Sequence, residues 1–391
     1  MTQLLRKIDD ITLGQLAQCL RAGKLVSFPT ETVYGLGAHA GLGSAVGRIF
    51  KVKGRPAQDP LIVHCSSFEE TKRYISPDAS VWQRLVHEAL GRTFWPGPLT
   101  LILPCHLEKI DASVTAGTGW VGLRCPSHPI ALRFLEMCDC PVAAPSANLF
   151  GHVSPTTAQH VYDDFPNVDN LWIIDGGACG FGIESTVLRV NEDNTLDILR
   201  RGGVGRDAIV KSLIDFQLIR NEIEAKVSVR VVERYISPTA QLTPMISPGQ
   251  LLVHYAPRLF TQMIEWSSDL RNFGDFSLVS SEQMKRTILI DFSGQFALLS
   301  GFVGEYRDLS QLGSSEEAVH ELFSALRWAE SQGVEDDLKW QIWIFNPKNI
   351  ELMQSNEIFL AMSDRIYRAS SGRSIELRFK PDFGQVFFLV R

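Results

Sequence analysis

The apolar residues of the chain are spaced in two ways, one typical of amphipathic helices and the other of buried strands. Ile11, Leu13, Leu16 and Leu20 lie at helical spacing, and Gly23 ends that pattern. Patterns of this kind predict helices over residues 11–23, 80–91, 128–138 and 156–165. Short apolar runs predict strands over residues 25–28, 61–65, 99–103, 121–124, 142–144, 171–175, 186–190 and 196–199. This alternation, without a strict strand-helix-strand repeat, predicts an α/β domain with a mixed sheet.

The pattern changes near residue 213. Between about 213 and 260, Ser-Pro and Thr-Pro pairs at 237–238, 243–244 and 247–248 indicate an extended connector. Beyond it, the spacing predicts strands over 287–291 and 340–345 and helices over 315–332 and 356–370. We therefore predict a first α/β domain over 1–212, a linker over 213–260 and a smaller C-terminal α/β domain over 261–391.

Composition narrows the class of protein. A length of 391 residues, 45% of them hydrophobic, suits two domains. With 38 basic and 44 acidic residues, the protein has no net positive charge that would bind nucleic acid or an anionic membrane. Seven cysteines without a Cys-x-x-Cys pair predict reduced, buried side chains. Charged residues precede the first apolar stretch, and no run approaches a membrane span, so we expect a soluble, cytoplasmic protein without membrane contact.

Two polar groups stand beside apolar runs. Lys53 and Arg55 are two positions apart in the sequence, and in extended backbone their side chains would point the same way, about 6.6 Å apart. Such a pair can hold a polyanion, although a solvated surface is an equally good interpretation. Ser146 and Asn148 offer a hydroxyl and an amide to phosphate oxygens or to a hydrated metal ion, and a helix cap or turn is the alternative.

Further polar residues also lie beside apolar or glycine-rich runs. Glu184, Ser185 and Thr186 come after a glycine-rich stretch, and Arg200 and Arg201 end a predicted strand, where α/β sheets commonly bind ligands. A histidine inside an apolar strand, such as the one at position 64, is more often a core residue than a catalytic one.

Common catalytic motifs are missing from the sequence. It contains no Gly-x-x-x-x-Gly-Lys-[Ser/Thr] loop and no His-Glu-x-x-His motif, and Ser146 lacks the Gly-x-Ser-x-Gly elbow of a covalent hydrolase. The glycines between 35 and 47 do not lie in a dinucleotide-binding unit. Positive charges and neutral donors remain, which suit phosphoryl or nucleotidyl transfer.

The ordered set of short segments resembles the threonylcarbamoyl-AMP synthases, in the long form with a YrdC-like catalytic domain and a C-terminal domain. The segments are Ser-Phe-Pro-Thr-Glu-Thr at 27–32, Tyr-Gly-Leu-Gly at 34–37, Lys-Gly-Arg-Pro at 53–56, Pro-Leu-Ile-Val-His at 60–64, Trp-Pro-Gly-Pro-Leu-Thr at 95–100, Gly-Leu-Arg at 122–124, Ala-Pro-Ser-Ala-Asn at 144–148, Glu-Ser-Thr at 184–186 and Arg-Arg-Gly at 200–202. The resemblance implies a YrdC-like mixed, twisted sheet with flanking helices, plus a Rossmann-like α/β C-terminal domain.

The resemblance also implies an activity. Members of the family make threonylcarbamoyl-AMP and pyrophosphate from L-threonine, bicarbonate and ATP with a divalent cation, as nucleotidyltransferases. A separate tRNA-modifying complex then transfers the threonylcarbamoyl group to tRNA. Mg²⁺ is expected mainly on the ATP phosphates, with Asn148 as a candidate protein ligand.

By the same resemblance, residues of this chain fall into three sets. The catalytic set is Lys53, Arg55, Ser146 and Asn148. The threonine-binding set is Thr32, His64, Arg124, Ala144 and Ser185. The ATP-binding set is Arg55, Asp59, Trp120, Ser146, Ser154, Arg201 and Tyr255. The connector motif at 247–257 resembles the family's linker over the active site, so His254 or Tyr255 is expected to close on the nucleotide.

Two other functions stay open at this stage. A YrdC-like domain could bind tRNA or double-stranded RNA weakly without this turnover, although the charge balance weighs against tight binding. A carbamoyltransferase could use a related domain, but the additional modules of such proteins are not recognisable in the sequence. Oligomeric state and the role of the C-terminal domain are left open by the sequence.

Overall fold

A computed structural model describes residues 1–219, 228–232, 245, 247–248, 255–266, 277–333, 340–350, 355–382 and 385–390. The chain forms two compact units: unit 1 contains Met1–Phe150 and Ser154–Leu251, and unit 2 contains Gly151–Val153 and Leu252–Arg391. The predicted linker thus contributes residues to both units, while its boundaries at 212 and 260 stay predictions. In the parts of the chain just given, no helix is both long and apolar enough to cross a membrane.

Unit 1 is built on one mixed sheet with helices between its strands. Its described strands are β1 (Gln3–Leu5), β2 (Leu25–Phe28), β3 (Gly35–His39), β4 (Ile62–His64), β5 (Leu99–Pro104), β6 (Trp120–Arg124), β7 (Val142–Ala143), β8 (Leu171–Ile174), β9 (Thr186–Val190), β10 (Thr195–Arg200) and β11 (Ser228–Val231). Its described helices are α1 (Asp10–Arg21), α2 (Gly43–Lys53), α3 (Phe68–Thr71), α4 (Val81–Phe94), α5 (Pro129–Cys138), α6 (Ala158–Asp164) and α7 (Arg206–Asp215).

The strand order of unit 1 is β1-β8-β2-β3-β7-β4-β6-β5-β9-β10-β11. β4 and β6 run parallel, and so do β5 and β9, whereas β7 is antiparallel to β4 and β5 is antiparallel to β6. Sequence neighbours are therefore often separated in the sheet, and residues from distant segments become neighbours. The α/β class and the mixed sheet predicted from the sequence are confirmed.

Side-chain caps fix where the helices of unit 1 begin. Asp9 accepts a hydrogen bond from the Thr12 amide at the start of α1. Ser80 and Gln83 form a reciprocal capping box at the start of α4. Each cap satisfies amide groups that the first turn of a helix leaves without partners, which stabilises that helix end. Behind the caps, the apolar faces pack on the sheet, as in α1, where Leu13, Leu16, Ala17 and Leu20 are buried.

The extended geometry expected for Lys53 and Arg55 is wrong. Lys53 is the last residue of α2, and Gly54 ends the helix in a left-handed conformation with φ of 65°. Alternation of side chains along a strand does not apply there, because the backbone turns sharply at Gly54. Ala45, Val46 and Ile49 form the buried face of α2, so the apolar run before Lys53 is helical.

Unit 2 is a second α/β fold. Its described elements are β12 (Phe260–Trp266), β13 (Ser277–Leu278), α8 (Ser281–Lys285), β14 (Thr287–Asp291), β15 (Glu305–Asp308), α9 (Ser315–Gln332), β16 (Gln341–Phe345), α10 (Glu357–Ala369), β17 (Ser374–Asp382) and β18 (Gln385–Val390). The strand order is β13-β18-β17-β12-β16-β14-β15, and β17, β12, β16, β14 and β15 are mutually parallel. This parallel core with its helices confirms the smaller α/β domain.

Candidate active site

The loop between β2 and β3 connects several of the predicted site segments of unit 1. The carbonyl group of Tyr34 accepts from the Ala147 amide at 2.8 Å, and its own amide donates to Pro155 O at 2.9 Å. The carbonyl group of Glu31 accepts from the Phe181 amide at 2.7 Å. This loop therefore holds three segments that are far apart in the sequence.

Arg124, at the end of β6, is bound by the same loop. Its Nη2 donates to Glu31 Oε1 and to Thr32 Oγ1, each at 2.7 Å. Thr30 Oγ1 donates to Val33 O at 2.6 Å, so the Thr32 hydroxyl donates to Thr30 and accepts from Arg124. Arg124 is only 4% exposed, and its buried Nε has no hydrogen-bond acceptor among the described residues. The guanidinium is thus fixed in place with an N–H group still available.

The other predicted threonine-binding residues lie on neighbouring strands. His64 and Arg124 pair directly across β4 and β6. Ala144 follows β7, and its amide donates to Ile62 O in β4 at 2.9 Å. Ser185 immediately precedes β9, the strand beside β5. Its hydroxyl is 2.8 Å from that of Thr100 in β5, whose neighbour Leu101 pairs with Leu123 of β6.

Burial makes His64 a neutral side chain. Desolvation and the adjacent Arg124 lower the pKa of His64 to about 3. Nδ1 lies 3.3 Å from Ile62 O, and since a carbonyl oxygen can only accept, the hydrogen is assigned to Nδ1. Nε2 is then an acceptor next to the Arg124 guanidinium. The side chain is buried in the core, and it also lies beside the candidate site.

The two polar segments predicted to share a site are joined by Lys53. Its Nζ donates to Ser146 O at 2.6 Å and to Asn148 O, and Lys53 is 2% exposed. The Phe150 amide donates in turn to Lys53 O at 2.8 Å. The cation therefore lies directly behind the backbone that carries Ser146 and Asn148, and its role as a solvated surface group is excluded.

Arg55 and Asp59 form a buried ion pair beside Lys53. Arg55 Nη2 is 2.8 Å from Asp59 Oδ1, and both side chains are almost inaccessible. Burial raises the pKa of the Asp59 carboxyl, while Arg55, Lys53 and Arg200 each act in the opposite direction. Arg200 donates to both the carbonyl and the hydroxyl of Ser185. Three cations from two segments, residues 53–55 and residue 200, therefore act on one buried carboxylate.

Ser154 and Arg201 lie on two further segments of the candidate site. Ser154 donates its hydroxyl hydrogen to Glu184 Oε1, and both residues are buried. Gly202, next to Arg201, packs directly on the backbone of residues 184–186, where a Cβ atom would overlap Thr186 N. This close approach brings the Arg200–Arg201 pair to the Ser185 segment.

Trp120 lies at the other end of β6 from Arg124, and Tyr255 belongs to unit 2. Trp120 begins β6, whereas Arg124 ends it, about 13 Å along the strand. Its ring is covered by the Arg189 guanidinium, 4.3 Å from the ring centre. Tyr255 is buried in unit 2, stacked on Phe323. Nucleotide contacts by these two residues stay predictions, and His254 lies outside the described residues.

The acidic residues of the candidate site are bonded to other side chains. Glu31 and Asp59 are paired with arginines, and Glu184 accepts from Ser154. Among the described residues there is no group of three or more His, Cys, Asp or Glu side chains able to hold a metal. Mg²⁺ is commonly bound through substrate phosphates with only one or two protein groups, and the Asn148 carboxamide remains a candidate for such a group.

Three contributors lie outside the three predicted sets of site residues. Glu31 fixes Arg124, Thr100 contacts Ser185, and Glu184 holds Ser154. All three lie inside the segments that carry the resemblance. An acidic residue flanked by two threonines at 30–32 was the available signal for Glu31.

Comparisons with known proteins identify the family of the chain. The family model described as "Telomere recombination" matches residues 18–202, and the model for the threonylcarbamoyl-AMP synthase C-terminal domain matches residues 219–371. The chain is 35% identical to a threonylcarbamoyl-AMP synthase of Pyrococcus abyssi, over 95% of this chain and 97% of that protein. It is 40% identical to the Bacillus subtilis enzyme of the same name, over 64% of this chain and 65% of that protein.

Solved structures give the same result. The structure of P. abyssi Sua5 in complex with L-threonine matches with a TM-score of 0.72 at 30% identity, covering 97% of this chain and 100% of that one. A doubly substituted variant of the same protein matches with a TM-score of 0.74 at 31% identity, covering 98% and 99%. The chain belongs to the threonylcarbamoyl-AMP synthase family.

Proposed function

We propose that this chain makes threonylcarbamoyl-AMP and pyrophosphate from L-threonine, bicarbonate and ATP, and is therefore a nucleotidyltransferase. The observation that carries the proposal is the convergence of Lys53, Arg55 and Arg200 on Asp59, beside the segment with Ser146 and Asn148. Relatives aligned along almost the whole chain carry the synthase name, which favours turnover over RNA binding alone.

The arrangement suits the chemistry of two anions that repel each other. A carbamate oxygen of N-carboxythreonine would attack the α-phosphorus of ATP, and the bond from that phosphorus to the pyrophosphate oxygen would break as pyrophosphate leaves. Fixed cations lower the repulsion between nucleophile and phosphate and stabilise charge in the transition state. Holding both reactants in line can contribute about 7–11 kcal/mol to the lowering of the barrier.

Threonine recognition is assigned to the end of β6. The fixed guanidinium of Arg124 can bind the substrate carboxylate, since its Nε–H group has no acceptor among the described residues. Neutral His64 offers Nε2 as an acceptor for the hydroxyl or the amine of threonine. Thr32, Ala144 and Ser185 complete the proposed wall of this subsite.

ATP is assigned to the cationic side of the site. The positive charges of Lys53 and Arg55 would attract the phosphates. Ser146, Ser154 and Arg201 would supply further polar contacts. Asp59, Trp120 and Tyr255 remain the proposed nucleotide contacts carried over from the family. Mg²⁺ would enter bound to the ATP phosphates, which need a divalent ion to offset their charge, and Asn148 could add one oxygen ligand.

The product is a reactive mixed anhydride, which requires a downstream acceptor. We assign its consumption to a tRNA-modifying threonylcarbamoyl transferase complex, and the place of action to the cytoplasm. Direct contact with tRNA would be weak, since the net charge of −6 disfavours binding to phosphate backbones.

The proposal is tested by pyrophosphate release from ATP in the presence of magnesium. Release should require L-threonine and bicarbonate together, and omission of either should return the rate to background. Salt-sensitive retention of RNA without turnover would support the binding alternative. Turnover with carbamoyl phosphate in place of bicarbonate and threonine would support a carbamoyltransferase.

A further inference from the structure

The peptide group between Asn148 and Leu149, in the segment of the predicted catalytic residues, is bound at both of its ends. Its oxygen, Asn148 O, accepts a hydrogen bond from Lys53 Nζ. Its N–H group, that of Leu149, donates to Asp164 Oδ2 at 3.2 Å. Lys53 is 2% and Asp164 7% exposed, and all four residues belong to unit 1. A buried cation therefore lies at one end of this peptide group and a buried carboxylate at the other.

The two charges are placed as the dipole of the peptide group favours. A peptide group has a dipole of about 3.5 D, with its negative end at the oxygen and its positive end at the N–H. Lys53 and Asp164 each therefore stabilise the same orientation of this group. Hydrogen bonds to charged groups are stronger than neutral ones, and burial reduces their screening by water. The lysine and the aspartate thus form a pair of opposite charges joined through one peptide group.

The local structure of α6 does not favour a carboxylate at position 164. Asp164 is the last residue of the helix, where a negative charge opposes the helix dipole, and burial adds the cost of desolvation. Its neighbour Asp163 is exposed and accepts from Gln159 on the same helix. The hydrogen bond from Leu149, 15 positions earlier in the sequence, helps to offset the cost at Asp164. It also brings the carboxylate next to the candidate active site.

The side chain of Asn148 depends on the same attachment. Asn148 Nδ2 donates to Leu149 O at 2.7 Å, so the carboxamide is oriented by the residue whose amide is bound to Asp164. On the other side, the Ala147 amide donates to Tyr34 O at 2.8 Å, in the loop that follows β2. Asn148 is therefore fixed from both sides, and Asp164 acts on the side of Leu149.

We propose that Asp164 is a positioning residue, whose carboxylate sets Asn148 by holding the amide that follows it. The same carboxylate balances the buried charge of Lys53 through the peptide group between them. The inference rests on the proposed function, because it assigns Asn148 to the reaction. Threonine recognition is assigned to Arg124 at the end of β6 and does not involve this contact.

The test compares steady-state pyrophosphate release by Asp164→Ala, Asp164→Asn and Asp163→Ala, at a temperature well below the Tm of each protein. Asp164→Ala should lower kcat about tenfold, as for loss of one charge-assisted hydrogen bond, and leave the KM for L-threonine within about twofold. Asp164→Asn should lower kcat only about threefold, because its carboxamide oxygen still accepts from Leu149 and a neutral hydrogen bond is roughly half as strong. Asp163→Ala, at the exposed neighbouring position, is the matched control and should keep the wild-type kcat.

A double-mutant cycle distinguishes positioning from a general loss of stability. If Asp164 acts through Asn148, Asp164→Ala should change kcat by less than about twofold in the Asn148→Ala background. Wild-type kcat in both Asp164 variants, an equal loss in Asp163→Ala, or effects that multiply in the cycle would overturn the inference. If Asp164→Ala does not fold, Asp164→Asn decides by its kcat alone. If Asn148→Ala is inactive, the order of kcat among the three helix variants decides.

Hydrogen exchange at the Leu149 amide provides a measurement that does not require turnover. Exchange should be about tenfold faster in Asp164→Ala than in the wild type and in Asp163→Ala, because the amide loses its acceptor. Wild-type protein that forms no adenylate would contradict the proposed function, and unchanged exchange at Leu149 would then overturn the inference as well. Wild-type protein that forms the adenylate, with wild-type kcat in both Asp164 variants, would contradict the inference alone.

Discussion

Lys53 links the two polar segments on which the account depends, since its ammonium group satisfies two backbone carbonyls of the Ser146–Asn148 segment. The sequence indicated a cation at this position but suggested an exposed side chain as an equal alternative. Burial of the side chain and its two acceptors changes what a substitution there does. A Lys53 variant should therefore lose stability as well as activity.

We expect Lys53→Met to lower adenylate formation at least about 100-fold, as for loss of a preorganised cationic group. It should also destabilise the fold, because each buried carbonyl left without a donor costs about 1–3 kcal/mol. Pyrophosphate release and thermal unfolding would measure the two effects. Lys51→Met, an exposed position in the last turn of the same helix, is the control and should change neither. Near-normal turnover in Lys53→Met would remove the site assignment.

A second residue-scale prediction concerns buried histidines and acid stability. Burial lowers the pKa of His87 to about 4, and its Nε2 is 2.8 Å from Thr71 Oγ1. The unfolded chain, with an ordinary histidine pKa near 6.5, binds more protons between these values, so stability falls as pH drops from about 6.5 toward 4. His64, with a pKa of about 3, acts in the same direction.

His87→Gln should flatten this dependence, since it removes the titrating group and keeps a hydrogen-bonding side chain near Thr71. Urea unfolding at pH 7, 6, 5 and 4.5 would measure the free energy of unfolding of both proteins. The variant should lose less stability than the wild type over that interval. An identical slope in the two proteins would contradict the assignment of a buried, neutral His87.

At the scale of elements, the helices with clear caps and apolar faces were predicted well. The predicted helix at 315–332 coincides with α9, Ser315–Gln332. The spacing of the sequence does not predict α2, because Gly43 and Gly47 lower helix propensity. Its buried face, Ala45, Val46 and Ile49, follows helical spacing and could have indicated it.

Two glycine substitutions test whether close backbone packing holds the site residues in place. Gly202→Ala would place a Cβ against the backbone of residues 184–186 and should push Arg200 away from Ser185, lowering both stability and turnover. Gly47→Ala is the control, because nothing lies within 4 Å of its added Cβ and it is exposed within α2. It should raise the free energy of unfolding by up to about 1 kcal/mol and leave turnover unchanged. Equal stability for the two variants would contradict the close packing at Gly202.

At the scale of the whole molecule, the pairing of strands that are distant in the sequence could not be derived from the residues alone. His64 and Arg124 are neighbours only because β4 and β6 pair, and local spacing does not encode strand order. The resemblance supplied the list of site residues, and the fold explains how most of them meet. The resemblance also lists Trp120, at the far end of β6, and Tyr255, in unit 2. For these two residues the list of site residues does not say where the side chain lies.

Residues 151–153 are assigned to unit 2 although they lie in the middle of the first predicted domain. Within unit 2, His152 is hydrogen-bonded to Glu330, 178 positions away in the sequence. No pattern of local hydrophobicity could have placed them together.

The central claim is that cations from distant segments form one site where threonine carbamate meets the α-phosphate. The most direct test is mass detection of the product after incubation of the wild type and Arg55→Ala with ¹³C-bicarbonate, L-threonine, ATP and magnesium. The account predicts labelled threonylcarbamoyl-AMP from the wild type and none above background from Arg55→Ala. Absence of the labelled adenylate in the wild type, or equal amounts in the two proteins, would contradict it.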